Sequence, residues 1–433
     1  MTVMLALALL SLAVWLALIF GRGFFWLARE RDEPPAATPS SWPRVAAVIP
    51  ARDEADMIGD TIAALLRQDY PGPFSIILVD DGSTDGTGEV ARAAAEALEG
   101  FPRANQPDPA RSCEGGNPEA KFGPFDSWVP ACAGMSGVGA GRPQGADSRL
   151  TVVTGRQLPA NWTGKLFALK QGADWVAAAA MPPDYLLFTD ADILHAPDSV
   201  RRLVARARAD RLVLVSLMAK LRCESFAERA LVPAFIFFFQ MLYPFAWVND
   251  PRRRTAAAAG GCVLLDRRAL EAAGGIAAVR NELIDDCALG RLMKAQGPIR
   301  LCLTERVVSR RAYPRLGDIH RMVARSAYAQ LRYSPFLLAG TMLGMAVTYL
   351  AAPLLALFGH GAAQIVGAAV WLMMALSFQP VLAFYRASPA WGLALPAIAA
   401  AYLLFTIESA RLYWRGRGGE WKGRAQALRS PSP

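Results

Sequence analysis

Asp190-Ala191-Asp192 sets two carboxylates two residues apart, directly behind the apolar run 185–189. A pair at that spacing can share a hard divalent cation. Mg2+ and Mn2+ take oxygen ligands, usually one or two carboxylates completed by substrate phosphate. A second acidic group, Asp80-Asp81-Gly82-Ser83-Thr84-Asp85-Gly86, closes the apolar run 75–79. A carboxylate there can accept hydrogen bonds from a nucleobase edge or a ribose hydroxyl. Ser83 or Thr84 can cap the helix that follows. The plainer reading of both groups is a capped turn. With only three histidines and no C-x-x-C among six cysteines, a histidine-based metal centre, a zinc ribbon and thioredoxin-like redox chemistry are all excluded as expectations.

These groups need elements to position them. Residues 44–50 read as a buried strand, and 54–68 have helical spacing through Ile58, Ile62, Leu65 and Leu66. Further strands are expected at 75–79, 150–154, 185–189 and 211–217. Helices are expected at 84–98, 166–180, 197–209 and 286–296. Strands alternating with helices of this length predict an α/β fold with a parallel sheet and right-handed crossovers. Ligands of such sheets sit beyond the carboxyl ends of the strands, so the acidic groups at 80–81 and 190–192 should converge on one crevice. Residues 101–149 break the alternation. They are rich in Gly, Pro, Ser and Asn, and their wording resembles translated repetitive DNA. They are expected to be a poorly ordered insertion without catalytic role, since loop length is thermodynamically cheap.

The composition places the chain at a membrane. Its 433 residues are 53% hydrophobic and only 19% charged, with 46 basic against 37 acidic residues, a net +9. That balance excludes an acidic or disordered chain and suits a polyanionic partner. Residues 3–20 carry no charge, and Arg22, Arg29 and Arg31 follow the run. A signal peptide would have its basic residues first. The expectation is therefore an uncleaved anchor, 1–22, with its start outside and the rest entering the cytoplasm. The uncharged stretches 334–385 and 387–407 supply two or three further crossings within 334–408, with a turn at Gly359-His360-Gly361. The basic tail, 409–433, prefers the cytoplasm, whereas three crossings would send it outside. The uncharged run 231–248, interrupted by Pro233, Gln240 and Pro244, reads as an interfacial helix or, equally, as a buried core helix. The basic residues flank apolar runs and are not interleaved with aromatics, so nucleic acid is not an expected partner.

Four segments in order carry a resemblance: Val48-Ile49-Pro50-Ala51-Arg52-Asp53-Glu54, Val79-Asp80-Asp81-Gly82-Ser83-Thr84-Asp85, Asp190-Ala191-Asp192, and Leu283-Ile284-Asp285-Asp286-Cys287-Ala288-Leu289. Together they resemble the family 2 glycosyltransferases, which use nucleotide sugars on a GT-A fold. With the flanking apolar helices, the chain is most similar to the hopene-associated glycosyltransferases of hopanoid biosynthesis. The resemblance implies that Pro50, Ala51 and Glu54 line the nucleotide pocket and that Asp80 or Asp81 binds the uracil or ribose. It implies that Asp190 and Asp192 hold the sugar diphosphate and its Mg2+ or Mn2+, with Asp192 the more direct ligand. Trp162-Thr163-Gly164-Lys165-Leu166-Phe167-Ala168-Leu169-Lys170 is similar to the family's G-K-x-x-A-L-N stretch and puts Lys165 near the donor.

Asp285-Asp286 stands where the family has its E-D pair, which implies that Asp286 is the general base. An adjacent carboxylate can lift its pKa toward a useful range. Both acids would also suit the positive end of a helix, whatever their chemistry. The Q-x-x-R-W of processive relatives is replaced by Met322-Val323-Ala324-Arg325-Ser326, leaving Arg325 for diphosphate charge but no Trp. Arg310, Arg311 and Arg315 are alternatives for that contact. Single transfer, not polymer synthesis, follows. The expected protein is a multi-pass enzyme of the bacterial inner membrane with a cytoplasmic catalytic domain, 43–330. It moves one sugar from a nucleotide-sugar donor, a UDP-sugar, to the hydroxyl of a membrane lipid acceptor such as a hopanoid. The alternatives are transfer to a polyprenyl phosphate and a non-catalytic, nucleotide-sugar-binding scaffold.

Overall fold

The computed structural model describes residues 3–99, 149–421 and 424–427. The expected insertion, 101–149, lies outside the described residues except for Arg149. Eight strands form one sheet: Val45–Ala51 (β1), Phe74–Asp80 (β2), Leu150–Thr154 (β3), Tyr185–Thr189 (β4), Ile193–His195 (β5), Leu214–Lys220 (β6), Cys262–Asp266 (β7) and Ile299–Ser309 (β8). Their order is β3-β2-β1-β4-β7-β6-β8-β5. β1 pairs parallel with β2 and with β4, and β2 with β3. The uninterrupted burial of β1 is what a central parallel strand covered on both faces requires. Alternate residues serve two cores, Val48 and Val79 on one face, Ile49 and Leu78 on the other.

The α/β expectation holds, and the sheet is mixed. β7 runs antiparallel between β4 and β6, and β5 antiparallel to β8. The strand expected at 211–217 is displaced to Leu214–Lys220. The helix Ser199–Ala209 ends at Asp210, and Arg211 turns through positive φ before the strand can begin.

Among the described residues four helices are long and apolar enough to cross a membrane: Val3–Gly21, Pro335–Phe358, Ala362–Phe384 and Leu395–Trp414. The expected turn separates the second from the third, with Gly361 at φ 57°. The first three pack on one another and on the sheet domain. Trp15 donates to the Thr348 carbonyl at 2.7 Å and meets Tyr349 edge-on at 5.6 Å.

The segment expected as one helix over 231–248 is two, Phe226–Leu242 and Phe245–Asn249, divided where Pro244 caps the second. The longer begins with a capping box, Ser225 Oγ accepting from the Glu228 amide and Glu228 from that of Ser225. Phe237 is covered by Phe25 and Phe378, and Phe238 by Tyr349 and Tyr402, whereas Phe226 at the start is exposed.

The fourth long helix packs on the sheet domain as well as on Pro335–Phe358. Trp391, just before it, lies 5.3 Å from Phe226, and Tyr402 donates to the Leu231 carbonyl at 2.9 Å. Further on, Phe405 meets His320, and Ser409 Oγ accepts from the Tyr328 amide at 3.0 Å. Near its end Tyr413 stacks on Tyr333 at 4.3 Å. Start, middle and end therefore all touch Phe226–Leu242 or the segment 316–333 that follows β8.

Candidate active site

The carboxyl ends of β1, β2 and β4 lie side by side because these strands are parallel neighbours. Adjacent strands are spaced about 4.8 Å apart, so groups ending β2 and β4 flank the end of β1 closely. Pro50 and Ala51 are the last residues of β1, both buried, opposite Val79 and Asp80. The loop beyond β1 is zipped to the loop beyond β2: Asp53 accepts from the Thr84 amide, its own amide donates to Ser83 Oγ, and the Glu54 amide donates to Thr87 Oγ1.

Asp80 and Asp81 part company here. Asp80 accepts from the Ser83 amide at 2.8 Å, the capped-turn role. Asp81 is buried, and Arg52 reaches both its backbone carbonyl, at 2.6 Å, and its carboxylate, at 3.8 Å.

Two cations organise the remaining carboxylates. Arg311, just beyond β8, grips Glu54 with two hydrogen bonds of 2.8 and 2.9 Å and reaches Asp192 at 3.2 Å. Burial would depress its pKa, but Asp192 and Glu54 more than offset this and hold the guanidinium above its ordinary value. Ser309 Oγ also donates to Asp192 at 2.8 Å. Lys165, at the start of the helix Gly164–Ala177, sits 2.8 Å from Asp190 and 3.5 Å from Asp285. Burial opposes its charge as well, yet Asp190 and Asp285 raise its pKa above the ordinary lysine range. Asp190 is pushed upward, chiefly by burial, with Lys165 pulling back and Asp192 adding repulsion. The turn carrying the 190–192 pair is pinned by Thr61, whose hydroxyl donates to the Ala191 carbonyl at 2.8 Å.

Asp286 opens the helix Asp285–Lys294, and its carboxylate accepts from the Gly260 and Cys287 amides at 3.1 and 2.7 Å. Gly260 is squeezed between Lys165 and Asp286. A Cβ there would stand 3.1 Å from Lys165 Nζ and 3.4 Å from Asp286 Cβ. Burial first, and the Asp285 charge second, raise Asp286 to about 6. Lys165, Leu166, Phe188, Asp285, Asp286 and Leu289 help to line one cavity beside this group.

The structure thus brings together Glu54, Asp190, Asp192 and Asp285 through two shared cations, Arg311 and Lys165, with Asp286 beside Asp285 and Pro50, Ala51 and Asp81 at the adjoining strand ends. Arg325 makes none of these ion pairs. It lies at the end of the helix Leu316–Ala324, close enough to influence the Tyr313 hydroxyl. Arg311, one of three equivalent arginines in the sequence, is the one that enters the cluster. Arg310 pairs with Asp60 on the outside.

The donor chemistry of Asp190 and Asp192 suits a hard divalent cation. Among the described residues no group of three His, Cys, Asp or Glu forms a ready-made cage. Two carboxylates would supply part of such an ion's ligands, the balance coming from phosphate and water.

The sequence model of glycosyl transferase family 2 matches residues 46–106, and that of glycosyl transferase family 21 matches residues 174–423. No curated protein matches the chain. Among solved structures, a mannosyltransferase from Pyrobaculum calidifontis in complex with GDP-Man and Mn2+ is similar over 94% of this chain and 99% of its own, at 19% identity and TM-score 0.50. Glucosyl-3-phosphoglycerate synthase from Mycobacterium tuberculosis is similar over 67% of this chain and 79% of its own, at 17% identity and TM-score 0.36. The first likeness supports the GT-A fold. The amino-terminal segment thus matches family 2, as the motifs implied. A single family model spans the rest, from the helix before β4 to the tail, and on that ground the chain belongs to glycosyl transferase family 21 and is a glycosyltransferase.

Proposed function

We propose that the enzyme is an inverting transferase that moves one sugar from a UDP-sugar to the hydroxyl of a membrane lipid, with a hopanoid as the leading acceptor. The observation that carries this reading is the cavity lined by Lys165, Asp285 and Asp286, in which Asp286 is poised at about 6 and Lys165 reaches Asp190 at the end of β4. Pro50, Ala51 and Glu54 would wall the nucleotide pocket. Asp81 is the better candidate for the uracil or ribose, because Asp80 is occupied by its own turn. Asp192 and Asp190 would hold Mg2+ or Mn2+. When bound, that ion would neutralise charge on the leaving diphosphate. Lys165 would keep Asp190 and Asp285 in place beside the donor, and Arg311, with Arg325 farther out, would face the phosphates.

Asp286 would accept the proton of the acceptor hydroxyl as its oxygen attacks the anomeric carbon, opposite the departing diphosphate. One base acting in one displacement inverts the configuration. Near neutral pH a carboxylate with a pKa of about 6 is mostly ionised and still basic enough to assist.

The seating we infer is a catalytic domain in the bacterial cytoplasm, held by three crossings, Val3–Gly21, Pro335–Phe358 and Ala362–Phe384. Leu395–Trp414, bound to the sheet domain along its length, would lie beneath that domain in the interface beside Phe226–Leu242. Three crossings return the basic tail to the cytoplasmic side, as its arginines favour. The test is purified enzyme with UDP-sugars, Mn2+ and extracted membrane lipids, read by UDP release and product mass. A glycosylated hopanoid supports the reading, and a product formed only from a lipid phosphate replaces it with the polyprenyl alternative.

A further inference from the structure

Outside the catalytic hollow, the strongest unassigned feature is a basic patch at the foot of the first apolar helix. Val3–Gly21 ends one residue before Arg22, whose guanidinium donates to the Met241 and Leu242 carbonyls at 2.7 and 3.1 Å. Met241 in turn contacts the Tyr349 hydroxyl inside the span Pro335–Phe358. Arg22 also lies over the Trp247 ring at 5.4 Å, and Arg253 covers the same ring at 5.0 Å. The indole is thus held between two guanidiniums. Gly23 is shaped to it: the residue sits at φ 62°, and a Cβ would fall 2.7 Å from Trp247 Nε1. Any side chain there would both strain the backbone and displace the ring.

The loop beyond is Asp250-Pro251-Arg252-Arg253-Arg254-Thr255, with all three arginines exposed and Arg252 90% so. Asp250 pairs with Arg252 and Arg253, and Arg254 is exposed beside them. The loop is nevertheless fixed from beneath. Lys294 Nζ donates to the carbonyls of Trp247, Val248, Asp250 and Thr255 at 2.6 to 3.3 Å. A rigid, outward-facing basic loop around an amphipathic indole, level with the end of an apolar helix, matches the headgroup layer of an anionic bilayer. Phosphates there attract each nearby arginine, and Trp favours the interface.

We propose that Arg22, Trp247 and Arg252–Arg254 form a docking surface for anionic phospholipid headgroups, which seats the catalytic domain on its own leaflet. The inference rests on the reading that Val3–Gly21 spans the bilayer. The full chain is reconstituted in nanodiscs holding spin-labelled phosphatidylglycerol or phosphatidylcholine, and the protein-restricted lipid fraction is measured by electron paramagnetic resonance.

The wild type should prefer phosphatidylglycerol several-fold. R252Q/R253Q/R254Q should lose roughly fivefold or more of that preference, as should the wild type at high salt. Restricted phosphatidylcholine should persist in the variant, which keeps loss of the patch distinct from loss of membrane insertion. A triple control on exposed arginines elsewhere, R67Q/R201Q/R208Q, should leave the preference unchanged. No preference in the wild type, an undiminished one in R252Q/R253Q/R254Q, or an equal loss in the control would each overturn the proposal.

Discussion

The strand ends and the helical layer beneath them are stabilised in opposite ways. At the strand ends, Arg311 serves Glu54 and Asp192, and Lys165 serves Asp190 and Asp285, so each cation bridges two acids at once and the cluster stays net negative. Beneath, Phe237 touches Phe25, Phe238 and Phe378, and Phe238 touches Tyr349 and Tyr402, in a network of edge-on aromatic contacts. In the first region, loss of one charge strands its partners in a half-buried place. In the second, loss of one ring leaves a cavity, and its neighbours keep their other contacts. Chemistry that must move protons and charge sits where cations are shared, and the part that only has to hold position is built from redundant packing.

The largest break expected is Asp286→Asn. Turnover should fall about 10²–10⁴-fold, while nucleotide-sugar binding by calorimetry stays within a few-fold of wild type. Activity that survives in this variant would remove Asp286 from the chemistry. Next is Lys165→Met, which leaves Asp190 and Asp285 facing each other. The pair is partly exposed, so removing one partner should cost about 3 kcal/mol, the lower end of the range for buried pairs, read by thermal unfolding in detergent. A second change, Asp285→Asn, should recover part of that loss. Phe237→Ala should cost a comparable or smaller amount, about 3 kcal/mol. Its effect should add to that of Lys165→Met, since the two regions share no partner.

A smaller effect separates the regions by pH. Asp286 is raised to about 6 in the folded protein from an ordinary value of 3.8. Folding therefore favours its protonated form. The stabilisation is complete below about 4 and is lost as pH rises through about 6. At pH 8, Asp286→Asn should be more stable than wild type by about 1–3 kcal/mol, and at pH 4 the two should unfold together. Turnover of the wild type should show the reverse dependence, rising through about pH 6 as the base ionises. Phe237→Ala should show no such dependence. An unchanged difference at both pH values would mean that Asp286 is not the titrating group.

The legible part of the sequence was the run of short buried strands that end in acids. A central parallel strand must be apolar throughout, so Val45–Ala51 and Tyr185–Thr189 stand out, and the carboxylates after them are conspicuous. Less legible was everything decided by pairing. β5 has three residues, too few for a pattern, and the antiparallel insertion of β7 between β4 and β6 leaves no periodic trace. Arg310 and Arg311 look interchangeable in the sequence. Successive side chains of an extended strand point to opposite sides, and only the register of β8 decides that Arg310 goes to Asp60 and Arg311 to Asp192. The fourth long helix was readable as apolar. That its neighbours are helices of the sheet domain was not, because composition does not name partners.

One detail of strand order bears on how this chain tolerates its own length. Among the described residues β3 is the outermost strand on its side of the sheet, paired with β2. The helix Thr87–Glu99 comes before residues 100–148 and β3 after them, so both described ends of that connection lie at this rim, away from the central strand pairs. Excising residues 104–147 should accordingly leave turnover and unfolding temperature near those of the full protein. An excision of like size between β1 and β2 would instead part the loops that join Asp53 to Thr84.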